Sequence, residues 1–244
     1  IINYMKINLI LPTYNEAENL PRLIPVLFNL PIQDLNILII DDNSPDGTGE
    51  IAEKLALEYP GKIQVVHRKG KLGLGSAYIL GFKMALENGA DAIGQMDSDF
   101  SHPPEKLPEL IDGINGYDIA IGSRYIKGGS LDKKWPLWRK ALSAWGNFYA
   151  RSILRIPTKD VTGGFRLWSR HVLENLPLER VISNGYIFQV EMAHITNLLG
   201  FQSTEIPIYF ADRRWGDSKM NFKIQVEAAF RVWQVLFSYK DLKQ

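Results

Sequence analysis

Asp97-Ser98-Asp99 sets two carboxylates one residue apart, directly after the apolar segment Ala92–Met96. On a loop leaving a buried strand, that spacing aims both into one cleft. Hard oxygen donors with nothing softer beside them suit Mg2+ or Mn2+, ions that substrate phosphates commonly complete. His102 follows on the same loop and reads as a loop histidine rather than a ligand. A second acidic pair, Asp41-Asp42, ends the apolar run Leu35–Ile40. Asp42 can accept hydrogen bonds from a nucleobase or ribose, whereas Asp46 suits turn and helix-cap chemistry. Pro12-Thr-Tyr-Asn-Glu16 offers a ring to stack and a carboxylate to accept. Gly70, Gly73 and Gly75 punctuate a loop that matches neither the dinucleotide fingerprint nor a Walker loop, so it reads as a flexible loop near a nucleotide.

The segments between these residues alternate strand and helix. Lys6–Leu11 reads as a strand. Asn15, with Glu18 three residues on, reads as a capping box opening a helix to about Leu30. Leu35–Ile40 has the continuous apolar pattern of a strand buried on both faces. Gly49–Glu58 reads as a helix, Lys62–His67 as a strand, Arg68–Gly75 as a loop, the stretch after it to about Asn88 as a helix, and Ala92–Met96 as a strand. A helix follows Pro103-Pro104, where proline suits a first turn, and Asp118–Gly122 is the next strand. Repeated strand–helix–strand units imply an α/β fold with a mostly parallel, doubly wound sheet flanked by helices. Ligands of such sheets bind beyond the carboxyl ends of the strands. Pro12–Glu16, Asp41–Thr48, Asp97–His102 and Ser123–Gly129 each follow a strand, so all four are expected to face one crevice.

Composition narrows the classes. At 244 residues and 45% hydrophobic, the chain can bury a real core, which excludes disorder as the main state. Its longest apolar runs are a few residues, far short of the roughly 20 that span a bilayer. Ile1–Lys6 lacks the features of a signal peptide. The absence of cysteine excludes disulfides, thiolate metal sites and cysteine nucleophiles. Residues 1–123 carry 9 Lys and Arg against 17 Asp and Glu, while residues 124–244 carry 19 against 10. The acidic half suits a metal; the basic half suits phosphates or an anionic membrane surface.

Taken in order, Pro12-Thr-Tyr-Asn-Glu-Ala-Glu-Asn19, Asp41-Asp-Asn-Ser-Pro-Asp-Gly-Thr48, Met96-Asp-Ser-Asp-Phe-Ser-His-Pro103 and Gly122-Ser-Arg-Tyr125 resemble the family 2 glycosyltransferases of GT-A fold. More narrowly the chain resembles the dolichyl-phosphate and polyprenyl-phosphate mannose synthases. Asp160-Val-Thr-Gly-Gly-Phe-Arg166, Gly185-Tyr-Ile-Phe-Gln-Val-Glu191 and Asp212-Arg-Arg-Trp-Gly-Asp-Ser-Lys219 agree. The resemblance implies one GT-A domain over residues 5–220, with a nucleotide-sugar and metal half (5–123) and an acceptor half (124–220). It implies that Pro12, Tyr14, Glu16, Ile40 and Asp42 hold the nucleoside. Asp97, Ser98 and Asp99 would hold the diphosphate and its Mg2+ or Mn2+. Some relatives have a glutamine ligand where this chain has Ser101, whose hydroxyl is a weaker donor. Arg124, Arg139 and Ser143 match positions that bind the lipid phosphate. Arg213, Ser218 and Lys219 match a basic loop that closes over the donor. Asp97, Asp99, Arg124, Arg213 and Lys219 are the implied catalytic set.

The implied reaction is transfer of mannose from GDP-mannose to a polyprenyl or dolichyl phosphate, by inversion to a β-linked product. Such an acceptor is anionic at neutral pH and attacks without a catalytic base. The reaction needs cations at the diphosphate and cations that bring two anions together. Arg124, Arg139, Arg213, Arg214 and Lys219 supply candidates, and arginine suits phosphate bidentately.

A lipid acceptor must be met at a membrane. Trp135–Tyr149 holds three of the six tryptophans with basic residues among them, a composition suited to the headgroup interface. In Phe222–Tyr239 the residues Lys223, Glu227, Arg231, Gln234 and Ser238 fall within an arc of about 80°, leaving most of the circumference apolar. Residues 221–244 are therefore expected to bury against lipid, a small membrane subunit, or a groove in the chain's own domain. The expected setting is peripheral, on the cytoplasmic face of a plasma or endoplasmic reticulum membrane, with no nucleic-acid partner. Alternatives are a glucosyltransferase using UDP-glucose, a nucleotidyltransferase, and a non-catalytic subunit that binds a nucleotide sugar.

Overall fold

A computed structural model of the chain describes residues 5–212 and 222–242. In chain order the elements are β1 (Ile7–Thr13), α1 (Leu20–Phe28), β2 (Leu35–Asp41), α2 (Thr48–Glu58), β3 (Ile63–His67), α3 (Leu74–Glu87), β4 (Ala92–Gln95) and α4 (Leu107–Gly113). They continue with β5 (Ile119–Ser123), β6 (Ser130–Leu131), α5 (Leu137–Leu154), β7 (Arg166–Ser169), α6 (Arg170–Asn175), α7 (Tyr186–Leu198), β8 (Ser203–Pro207), β9 (Tyr209–Phe210) and α8 (Phe222–Ser238). Seven strands form one sheet in the order β3-β2-β1-β4-β7-β5-β8. All neighbours are parallel except β7, which runs antiparallel to both β4 and β5.

Strand periodicity divides the core. Ile7, Leu9 and Leu11 of β1 and Ile37 and Ile39 of β2 enter the cluster on one face. Ile10, Leu38 and Ile40 enter the cluster on the other. Side chains alternate across a strand, so a run apolar at every position fits only a strand covered on both sides.

The strand order turns at β1 and β4, the place where a doubly wound sheet opens a crevice. The loops meet there as expected. Ser98 Oγ donates to the Pro12 carbonyl at 3.4 Å, and the Glu16 N–H donates to Thr48 Oγ1 at 2.9 Å. Arg124, at the end of β5, lines the same cavity as Asp97 and Asp99.

Two local readings change. The capping box at Asn15 and Glu18 does not form. Asn15 has φ +60° and its N–H donates to Ser44 Oγ, whereas an N-cap residue is extended. The helix opens instead at Leu20, after Asn19, with proline in its first turn. The short strands β6 to β9 carry no pattern strong enough to predict. Of these, β7 matters most. Because it runs antiparallel, with Arg166 level with Gln95 and Ile121, the loop before it reaches the crevice. That loop carries Asp160 and Thr162.

The C-terminal helix packs on the domain. Val232, Val235 and Tyr239 are buried in the main core, and the Tyr239 hydroxyl donates to Glu191 at 2.7 Å. Tyr149 donates to the Ala229 carbonyl at 3.2 Å and accepts from Trp233 at 2.9 Å, which joins α8 to α5. Among the described residues, no helix is long and apolar enough to cross a membrane.

Candidate active site

One cavity of about 250 Å³ gathers the chemistry. Asp97, Asp99, Ser101 and His102 form one wall, and Arg124, Arg139 and Ser143 another. Leu142, Trp145, Tyr149, Tyr186, Val190 and Val232 supply apolar and aromatic lining from α5, α7 and α8.

The acidic wall is built by the loop after β4. Asp99 is 2% exposed, and its Oδ1 accepts the Ser101 N–H at 3.0 Å. The Ser101 hydroxyl is buried and has no hydrogen-bond partner among the described residues. The Asp97 N–H donates to His102 Nδ1 at 3.0 Å, and the Tyr78 hydroxyl lies 3.4 Å from the Asp97 carboxylate. His102 stacks on Phe165 with ring centroids 5.3 Å apart, and burial pushes its pKa down. Its Nδ1, placed to accept the Asp97 N–H, ties the two ends of the loop together.

The basic wall is held by a buried ion pair. Arg124 donates from Nε and Nη2 to the two oxygens of Asp160, each at 2.7 Å, and from Nη2 to Thr162 Oγ1 at 2.7 Å. Burial alone would raise the Asp160 carboxyl; the Arg124 charge outweighs it and holds the group below the ordinary carboxylate range. Since the folded pKa lies below the unfolded one, this stabilisation is complete above the unfolded value of about 4 and is lost as pH falls through the folded value. Urea midpoints of the wild type and Asp160→Asn should therefore differ by a constant amount from about pH 8 to about pH 5, and converge only below about pH 4. A difference that already shrinks near neutrality would contradict this sign. Arg166, fully buried behind the loop, donates to the carbonyls of Gly163 and Val161, and burial presses its pKa down to about 10. Arg139 lies 3.6 Å over the Trp135 ring and 3.5 Å from Asp212, and Ser143 Oγ is 2.6 Å from the Tyr125 hydroxyl.

The glycosyl transferase family 2 model matches residues 8–176. A polyprenol monophosphomannose synthase of Mycolicibacterium smegmatis is 44% identical over 224 residues, covering 91% of this chain and 84% of that protein. This chain belongs to glycosyl transferase family 2. An undecaprenyl-phosphate mannosyltransferase of Micrococcus luteus is 40% identical and covers 98% of both chains. Among solved structures, glucosyl-3-phosphoglycerate synthase from Mycobacterium tuberculosis, in complex with Mn2+ and UDP-glucose, superposes with a TM-score of 0.65 at 17% identity. It covers 98% of this chain and 80% of its own. At that identity the likeness concerns the fold, which is the GT-A fold.

In this glycosyltransferase the nucleoside candidates surround the ends of β1 and β2. Lys71 sits 4.1 Å over the Tyr14 ring, and Glu16 accepts from Asn19 at 2.6 Å. Ile40 has its side chain in the core, which leaves only its main chain at the strand end. Asp42 pairs with Arg68 at 2.8 Å and accepts the N–H groups of Leu72 and Gly73. The glycine loop is thus tied down by the carboxylate expected to meet the nucleoside. Gly73 has φ +97° where α3 begins, a conformation that favours glycine. Arg213, Arg214, Ser218 and Lys219 lie outside the described residues. Asp160 and Thr162 were legible only as part of a motif. Gln189, which also lines the cavity, gave no signal beyond its place in another.

Proposed function

We propose that this family 2 glycosyltransferase moves mannose from GDP-mannose to a polyprenyl phosphate at a membrane surface, with a divalent cation and inversion at the anomeric carbon. The observation that carries this reading is the single cavity lined by carboxylates, guanidinium groups and an apolar aromatic wall. A sugar diphosphate, a lipid phosphate and an isoprenoid chain need those three linings in contact. The two relatives named for lipid-phosphate mannose chemistry support the same acceptor and sugar.

The donor set fits Mg2+ or Mn2+. Asp97 and Asp99 are hard ligands, and the orphaned Ser101 hydroxyl beside them is a third oxygen. Among the described residues no cluster of three or more His, Cys, Asp or Glu is placed to hold an ion by itself, which suits an ion completed by a diphosphate. When bound, the cation offsets charge building on the departing diphosphate. Arg124 and Arg139 draw the anionic acceptor to the sugar, and the acceptor oxygen attacks without losing a proton. Asp42, Tyr14 and Glu16 hold the nucleoside. Ser143 and its partner Tyr125 steady the acceptor phosphate. Arg213 and Lys219 serve the donor diphosphate.

Label transfer from GDP-mannose into polyprenyl phosphate, counted in the organic phase, tests the reading. Label only from UDP-glucose would change the sugar and keep the reaction. No label from either, with nucleotide still bound, would make the chain a binding subunit.

The membrane face is formed by α5 and α8. Leu137, Trp138, Trp145 and Phe148 on α5 and Phe230, Trp233 and Phe237 on α8 are exposed. Amphipathic helices of this composition lie in the headgroup region. Changing Trp138, Phe148, Phe230 and Phe237 to serine should weaken binding to anionic vesicles by about a hundredfold or more, since each of the four aromatics withdrawn from water is worth of order 1 kcal/mol. Turnover of a short-chain acceptor should persist. Unchanged vesicle binding would assign this face to a small membrane subunit instead.

A further inference from the structure

A chain of buried amides runs from the sheet to the cavity. Trp168, Gln95 and Gln189 are all nearly inaccessible to solvent. Trp168 Nε1 donates to Gln95 Oε1 at 2.6 Å, and Gln95 Nε2 faces Gln189 Oε1 at 3.5 Å. An indole N–H can only donate, so Gln95 must turn its oxygen to Trp168. Its amide N–H then points to Gln189, which must offer an oxygen in turn. Gln189 is left with its Nε2 as a donor, which has no partner among the described residues.

The same corner holds a second donor. His102 Nδ1 accepts the Asp97 N–H, so a neutral His102 carries its proton on Nε2. A methyl group placed on Gly164 would lie 3.4 Å from Gln189 Nε2, 3.4 Å from His102 Cε1 and 3.8 Å from His102 Nε2. The space over Gly164 is therefore bounded by both side chains. Gly164, Gln189 and His102 line the cavity together with Asp97 and Asp99. Two neutral N–H donors with fixed orientation suit an uncharged oxygen acceptor beside the diphosphate, which is what a sugar hydroxyl presents.

We propose that Gln189 Nε2 and His102 Nε2 form a two-donor corner over Gly164 that reads one hydroxyl oxygen of the transferred sugar, and that the buried Trp168–Gln95 pair positions Gln189 for it. This rests on the transferase reading and names its sugar-discriminating residues. Gln189 and His102 touch the sugar. Trp168 and Gln95 act through Gln189, and Trp168 does not line this cavity.

Steady-state transfer by the full chain, with the parent nucleotide sugar and its monodeoxy analogues, tests the inference. In the wild type, one analogue should lose about tenfold in kcat/KM, the value of one buried hydrogen bond. Gln189→Leu should lose a similar factor on the parent sugar and show no further loss with that analogue. Affinity for the free nucleotide should not change. Trp168→Phe, which removes the N–H that orients the relay together with part of a buried ring, should lower the thermal midpoint and also reproduce the same analogue-specific change at about two- to fivefold, a pattern that lost packing alone would not give. Retention of the wild-type pattern across all analogues in both variants overturns the inference and leaves the transferase reading intact. Absence of transfer by the wild type from every nucleotide sugar offered overturns both.

Discussion

Asp99→Asn should lower mannosyl transfer by at least about 100-fold without unfolding the protein. Asn retains a carbonyl oxygen that can still accept the Ser101 N–H now held by Asp99 Oδ1, so the loop keeps its hydrogen bond. What disappears is a full negative charge on a nearly inaccessible group at the cavity wall. Only a reaction that needs a cation at that wall should respond strongly. Mn2+ binding in the presence of GDP, followed by electron paramagnetic resonance, should weaken in parallel, while the thermal midpoint moves little. Transfer within tenfold of wild type would sink the metal-dependent reading. Asp97→Asn should behave similarly, with a further disturbance through Tyr78.

Asp160→Ala has the largest expected effect on stability. The carboxylate is 0% exposed and takes two hydrogen bonds from the Arg124 side chain, one from Thr162 Oγ1 and the backbone N–H of Arg124. It also accepts the N–H of Gly163, so it holds its own loop. Its removal strands a buried guanidinium, and breaking such a pair costs about 3–5 kcal/mol. Urea unfolding should show a loss of that size. A double variant, Arg124→Met with Asp160→Leu, should recover much of the loss, because the uncompensated charge goes too. The two variants separate fold from function. If Arg124 meets the acceptor phosphate, the double variant should be well folded yet poor in transfer, with the deficit expressed mainly in the KM for polyprenyl phosphate. Full transfer by a stable double variant would remove Arg124 from the acceptor site.

Much of this molecule is written in short-range pattern. The apolar run of β2 announces a strand covered on both faces, and the alternation of strands and helices announces the doubly wound sheet. Each candidate loop follows a strand, so the rule that ligands sit beyond carboxyl ends suffices to expect the loops on one side of the sheet; Asp97 and Arg124 line one cavity, whereas Pro12 and Asp42 lie at the ends of β1 and β2, outside its lining. The Asp97/Asp99 pair is legible because both carboxylates fall within three consecutive positions.

Tertiary structure decided what depends on distant pairings. The antiparallel insertion of β7 between β4 and β5 sets the loop before it beside Arg124, and no local signal reports a strand's direction. Asp160 thereby becomes the partner of a residue 36 positions away. Asn15 illustrates the converse: a sound local capping signal lost to a contact with Ser44 in the loop after the neighbouring strand. His102 and Gln189 owe their significance to neighbours at Gly164 and Gln95 that only folding supplies. The apolar circumference of α8 showed that it must bury somewhere, but not how. Packing divided it, with Val232 and Val235 turned to the core, joined there by Tyr239 just beyond the helix, and Phe230, Trp233 and Phe237 left exposed. Periodicity fixes which side chains share a face, whereas the partner of each face is set by the summed burial of the whole chain.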